Sequence, residues 1–188
     1  MSKSTSRTST SDRASAFARD VIDGKIVAGP DVRYACQRHL NDLKRGPARG
    51  LYWDLDSANR VIGYFEDVLC LNGGEYEGQA FHLLPWQAFI LGSLFGWKGP
   101  DGFRRFRTGY IETAKGSGKS PLAAGIGLYG MTSDDEARAE IYAAATKKDQ
   151  AMILFRDAVS MVDQSALLAD RLEKSGRGEK VWNLAHYA

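Results

Sequence analysis

The most specific chemical signal in the chain is one run of eight residues, Thr113-Ala114-Lys115-Gly116-Ser117-Gly118-Lys119-Ser120. Small residues at 116, 117 and 118 let the backbone come close to an anion. The N–H groups from Gly116 to Ser120 can then turn inward around a β-phosphate, backed by the positive end of a following helix. Lys119 is spaced to reach β- and γ-phosphates, and the Ser120 hydroxyl to ligate Mg²⁺. Gly118, Lys119 and Ser120 meet the last three positions of the phosphate-loop pattern GxxxxGK[ST], whereas Thr113 replaces its first glycine. Lys115 adds a cation inside the loop, near where γ-phosphate charge redistributes during transfer. Pro121 falls in the first helical turn, where its missing N–H costs little.

Such a loop needs a strand before it and a helix after it. Arg105 to Thr113, with Phe106, Tyr110 and Ile111, reads as the strand, and the apolar run from Lys119 to Met131 as the helix. A second short strand is expected over Ala139 to Ala145. An amphipathic helix over Ala151 to Val162 follows, with Met152, Phe155, Val159 and Val162 on its apolar stripe. The alternation over residues 104–165 implies an α/β fold, a P-loop core with an incomplete parallel sheet and right-handed crossovers.

Residues 13–97 read as all-helical. Val32, Cys36, Leu40 and Leu43 repeat at helical spacing after Pro30, and Gly46-Pro47 ends that helix. Asp56 or Ser57 can cap a second helix that buries Ala58, Val61, Ile62, Phe65 and Leu69. A glycine-rich break follows over residues 71–78. Pro85 opens a third helix through Trp86, Gln87, Phe89, Ile90 and Leu94, which stops at Gly96. Residues 1–12 are Ser/Thr-rich with almost no apolar side chain, so a flexible tail is expected there. The organisation is thus a tail (1–12), a helical region (13–97) and the first part of a phosphate-loop core (98–188).

Composition narrows the class. The chain has 188 residues, 44% hydrophobic and 26% charged, which excludes collagen, coiled coil and wholesale disorder. A full core is within reach at this length without disulfides or metal. The longest apolar run, Ala88 to Phe95, is too short to span a bilayer, and no secretory signal precedes the first helix, so a cytosolic setting is expected. Cys36 and Cys70 read as reduced core residues on helical stripes. His39, His82 and His186 stand at no zinc-ligand spacing. The net charge of +2 is unevenly spread, because residues 98–119 carry Lys98, Arg104, Arg105, Arg107, Lys115 and Lys119 against Asp101 and Glu112. That segment suits a polyanion, or forms a solvated basic hairpin.

Three motifs in order, within residues 74–152, resemble the ATPase domain of tailed-bacteriophage terminase large subunits, the DNA-packaging motors. Leu84-Pro85-Trp86-Gln87 is similar to the family's adenine-reading glutamine motif. The run from Phe103 through Arg107, Tyr110 and Glu112 into Thr113 to Ser120 resembles its deviant Walker A, which lacks the first glycine and carries a basic residue where Lys115 stands. Ala143-Ala144-Ala145-Thr146 and Asp149-Gln150-Ala151 match the strand and helix that follow.

The resemblance implies ATP and Mg²⁺ as cofactors, with nucleotide contacts from Trp86, Gln87 and residues 113–120, and Ser120 on the metal. It implies that Gln87 reads the adenine edge and that Lys115 and Lys119 are catalytic, Lys115 as the in-cis cation where family members commonly carry Arg. Double-stranded DNA, the portal, the small terminase subunit and a ring oligomer are the implied partners, and the cytoplasm of an infected bacterium the implied place. No apolar strand ending in Asp-Glu follows Ser120. Val159 to Asp163 lies on a helical stripe and lacks the Glu, and a carboxylate-rich nuclease domain is absent, so the chain is expected to be the amino-terminal third or so of a longer protein. Two other readings stay open: a nucleotide-binding docking module without turnover, and a small-molecule kinase, whose loop would stand nearer the N-terminus.

Overall fold

The structure, a computed structural model, describes residues 11–174 and 181–183. They form helices α1 (Arg13–Ile22), α2 (Pro30–Arg45), α3 (Leu55–Val68), α4 (Pro85–Gly96), α5 (Lys119–Thr132), α6 (Lys148–Gln164) and α7 (Ala166–Ala169). Four short strands, β1 (Tyr52–Trp53), β2 (Trp97–Lys98), β3 (Leu172–Lys174) and β4 (Val181–Asn183), pair antiparallel as β1-β2 and β3-β4. Packing divides the chain into two compact units, residues 1–63 with 83–111 and residues 64–82 with 112–188.

In the first unit α1 packs on α2 and α4 around Ala14, Phe17, Ala18, Val21, Cys36 and Phe89. Polar groups are built into this core. Asp12 caps α1, its Oδ1 accepting the Ser15 N–H at 2.9 Å and its Oδ2 accepting the Ser15 hydroxyl at 2.5 Å and the Trp53 indole N–H at 3.0 Å. The Trp97 indole donates to His39 Nδ1 at 2.9 Å, so a neutral His39 carries its proton on Nε2 and donates it to Ser15 Oγ at 2.8 Å. Every donor in the chain Trp97–His39–Ser15–Asp12 thus points the same way. Ser15 and His39 are buried, and desolvation drops the His39 pKa from 6.5 to about 4. With its Nε2 protonated, His39 has no lone pair facing Ser15, so the pair is structural and not a nucleophile with its base.

Asp54 begins α3 in the way Asp12 begins α1, accepting the Ser57 N–H at 2.9 Å and the Ser57 hydroxyl at 2.6 Å. The cap is therefore Asp54, not Asp56 or Ser57, because only a residue just before the helix can turn its carboxylate onto the N3 amide. Of the expected buried face, Ala58, Val61, Ile62 and Phe65 are buried on α3, and Leu69 is buried one residue past its end.

In the second unit α5 packs on α6. Gly125 of α5 lies directly on the buried Phe65 ring, where any Cβ would overlap it and meet Leu69 Cδ1 at 2.9 Å. Tyr64 and Tyr129 meet edge to face, the Tyr64 hydroxyl pairs with Thr132 Oγ1 at 2.9 Å, and Asn72 donates to Asp157 at 2.8 Å.

Several expectations are corrected. Neither residues 105–113 nor 139–145 form a strand, and the described residues contain no parallel sheet. A parallel strand exists only when neighbours take its N–H and C=O groups on the ladder. Among the described residues neither run joins a ladder: the first meets the sheet only at its start, where the Lys98–Arg104 bridge brings the Arg105 N–H to Trp97 O at 2.9 Å, and Ile141 and Tyr142 stay exposed. Helix α6 starts at Lys148 rather than Ala151, and of its expected stripe only Val162 is fully buried. Cys70 sits beyond the end of α3, in a bridge to Ala80, rather than on a helical stripe. The tail expected over residues 1–12 stops short of Asp12, which three donors hold; its residues 1–10 lie outside the described ones.

Candidate phosphate-binding site

The loop before α5 is shaped by two glycines and a pair of hydroxyls. Gly116 and Gly118 both adopt φ of +81°, a region closed to most L-residues, and these reversals make the strand-free approach from Ile111 turn into the helix. Side-chain hydroxyls of Thr113 and Ser117 hydrogen-bond across the turn, and the Ser117 N–H reaches Ala114 O at 3.4 Å. Thr113 therefore closes the loop with its hydroxyl at the position where the usual pattern has glycine.

The rest of the loop is poised for an anion. Gly118 is the α5 N-cap without a side-chain cap, and the first cap bond comes from Leu122 to Gly118 O at 3.1 Å. The N–H groups of Gly116, Gly118, Lys119 and Ser120 reach no carbonyl among the described residues. They lie at a helix N-terminus, where the partial positive charge favours a phosphate. A Cβ at Gly116 would meet nothing within 4 Å, so the loop mouth is open. Lys119 is exposed and folds back on its own loop, 3.4 Å from Thr113 O and 3.3 Å from Ala114 O. Those are weak neutral acceptors that a phosphate oxygen replaces with a charge-assisted bond. Lys115 is exposed and makes no hydrogen bond or ion pair among the described residues, and the same holds for the Ser120 hydroxyl. The free hydroxyl, the bare amides and the re-aimable lysine fit Mg²⁺ and a nucleotide phosphate chain. Among the described residues no group of three His, Cys, Asp or Glu could hold a metal by itself.

Residues 113–120 are brought together in the second unit, whereas Trp86 and Gln87 belong to the first. Trp86 packs against the first unit's core. Gln87 is buried, and its Oε1 accepts the Leu84 N–H at 2.9 Å, closing the first turn of α4 behind Pro85. Its Nε2 has no partner among the described residues, and Oε1 keeps a second lone pair. The Gln-at-N3 position after Leu-Pro carried this signal in the sequence.

The basic segment divides. In the first unit Arg105 donates to Asp42 Oδ2 at 2.5 Å while Arg49 pairs with Asp42 Oδ1, so much of its charge is tied down. Burial works to raise the Asp42 pKa, yet these two guanidinium groups hold it below the ordinary carboxylate value. Composition alone showed the cations but not Asp42, the buried acid that fixes them.

A family model described as the terminase large subunit, ATPase domain, matches residues 85–179, half of the chain. It spans α4 with Trp86 and Gln87, the whole phosphate loop and α5 and α6. A search of curated proteins and one of solved structures found no match.

Proposed function

The chain belongs to the terminase large subunit ATPase-domain family, and from that premise we propose that its 113–120 loop binds ATP with Mg²⁺ in the service of viral DNA packaging. The observation that carries the proposal is the loop itself: two left-handed glycines, with amides and a Ser120 hydroxyl that find no partner among the described residues, within the matched span. The amides and Lys119 would grip the phosphates, Lys119 leaving Thr113 O and Ala114 O to do so. Ser120 would hold Mg²⁺, which supplies charge neutralisation between the phosphates. Lys115, unpaired and at the loop mouth, would stabilise charge that grows as the terminal phosphoryl group departs. Gln87, oriented through Oε1 by the Leu84 amide, would offer Nε2 to the adenine edge, and Trp86 would steady that turn.

Hydrolysis would drive translocation of double-stranded DNA by a ring working with the portal and the small terminase subunit, in the cytoplasm of an infected bacterium. Among the described residues no helix is long and apolar enough to cross a membrane. No described strand ends in Asp-Glu, and Val159 to Asp163 lies inside α6. That observation favours a second reading, a nucleotide-binding docking module without turnover. Single-turnover hydrolysis separates the two readings: turnover that Lys119→Ala abolishes supports the ATPase, and saturable binding with hydrolysis at background supports the docking module.

Base preference tests the assignment. ATP should bind more tightly than GTP by about 1–3 kcal/mol, the worth of one bidentate base contact. Gln87→Ala should erase the difference and spare triphosphate affinity. Equal affinity for the two nucleotides in the unmutated chain would remove Gln87 from the site.

A further inference from the structure

The outer side of α2 is a basic surface that the nucleotide reading leaves unused. Its exposed residues include Arg38, Lys44 and Arg45, none of which makes an ion pair among the described residues. Of the two carboxylates on α2, Asp31 sits in the first turn and Asp42 is buried. Beside this face the first unit places the segment after β2 and fixes it by aromatic stacking. Arg38 stands over the Phe106 ring at 4.8 Å from its centroid, Arg105 over the same ring at 4.9 Å and over Trp97 at 5.6 Å. Asp42 then joins Arg105 to Arg49, from the turn that follows α2. Cations from two distant stretches of sequence are thereby held on one surface, with a single buried acid among them.

Three points select the partner. Arg38 to Arg45 cover about 10 Å of helix axis, against which duplex DNA sets about six phosphate charges, one per ~1.7 Å. A row of cations so dense on a preformed surface suits a continuous polyanion better than an isolated phosphate. The Arg38 guanidinium, held flat over Phe106, presents a fork of donors that matches phosphate oxygens bidentately, with little rotamer freedom left to lose. Single strands need successive open aromatic faces to stack on; α2 exposes one, Tyr34, and Phe106 is occupied by two guanidinium groups.

We propose that the outer face of α2, with the arginine segment that Phe106 and Asp42 clamp beside it, docks the phosphate backbone of duplex DNA. Helix α2 lies outside the span matched by the family model, and the phosphate loop plays no part. The proposal deepens the reading of DNA as a partner and rests on it.

The test is fluorescence anisotropy of the 188-residue chain with a labelled random-sequence duplex, without nucleotide, over a salt series. The triple variant Arg38→Glu, Lys44→Glu, Arg45→Glu should bind at least tenfold more weakly near 0.1 M salt, because each lost phosphate contact removes about 0.9 from the log–log salt slope. A matched reversal in the second unit, Arg138→Glu, Lys147→Glu, Arg156→Glu, should leave affinity within about twofold, and Arg38→Lys with Arg45→Lys should keep most of it. Thermal unfolding of each variant separates misfolding from loss of contact. If the two triple variants weaken binding equally, the face is wrong although DNA remains a partner. If the unmutated chain binds no duplex, the face and the DNA reading fall together. Tighter binding to a single strand of equal length, or to polyglutamate of equal charge with loss in the α2 variant, would overturn the choice of occupant.

Discussion

In the first unit a histidine, a serine and two tryptophans share one directed chain of hydrogen bonds inside the core, whereas in the second the deepest contact is a phenylalanine ring laid on a bare glycine. Hydrogen bonds of this kind are exacting, since a buried donor left without its acceptor costs about 1–3 kcal/mol, but they also fix one arrangement of side chains. A ring on glycine is a matter of shape alone. The second unit has polar pairs too, Tyr64 with Thr132 and Asn72 with Asp157, but they are separate pairs, whereas the first unit links its buried polar groups into one connected network. The contrast predicts that the two respond differently to volume and to protons.

The largest effect should come from filling the space over Phe65. Gly125→Leu drives a side chain into a fully buried ring, an overpacking cost of about 3 kcal/mol. The gain in helix propensity, about 1 kcal/mol, does not offset it. Hydrogen exchange should show lost protection in α5 and α6 with α1 and α2 spared; equal loss in both units would erase the contrast.

Protons should act on the first unit. His39 titrates near 6.5 when unfolded and near 4 in place, because burial penalises its charged form. The Asp12 and Asp42 charges oppose that shift and those of Arg19 and Arg38 reinforce it. The unfolded chain therefore binds the proton first as pH falls. Stability is whole above pH 6.5, declines between 6.5 and 4 by roughly 3 kcal/mol at most, and levels off below. A His39→Gln variant should flatten that window in urea titrations at stepped pH, and an unchanged slope would show that the imidazole is not the group responsible.

Removing the α3 cap is a smaller test. Asp54→Ala should cost about 1 kcal/mol, read as a lower urea midpoint at unchanged m-value. A loss above twice that would mean Asp54 supports more than the first turn.

The helices were legible because their signals are local. The stripe of α3, the Pro85 opening and Gly96 stop of α4 and the start of α5 at Lys119 all depend on residues within a turn or two of each other. The two Asp-x-x-Ser caps at Asp12 and Asp54 are equally local, yet on sequence alone Asp12 falls in the tail and the α3 cap on Asp56 or Ser57. Residues 105–113 and 139–145 read as strands by composition, yet a strand is a property of its neighbours, which no window of sequence contains. The polar core was hidden for the same reason, since Ser15, His39 and Trp97 are joined across long separations by groups whose types say nothing about their partners. In the candidate phosphate loop the residue types suggest the chemistry proposed for it, while the closure by the Thr113 and Ser117 hydroxyls appears only in three dimensions.

The central claim is that this loop holds a nucleotide phosphate chain through its amides and Lys119. Calorimetry of the 188-residue chain with a Mg-ATP analogue tests it without requiring turnover. The account predicts saturable binding in the unmutated chain and, because a charge-assisted contact contributes about 1.5–3 kcal/mol, affinity reduced at least tenfold by Lys119→Ala at unchanged thermal stability. Affinity indifferent to Lys119, in a variant that remains folded, would contradict it.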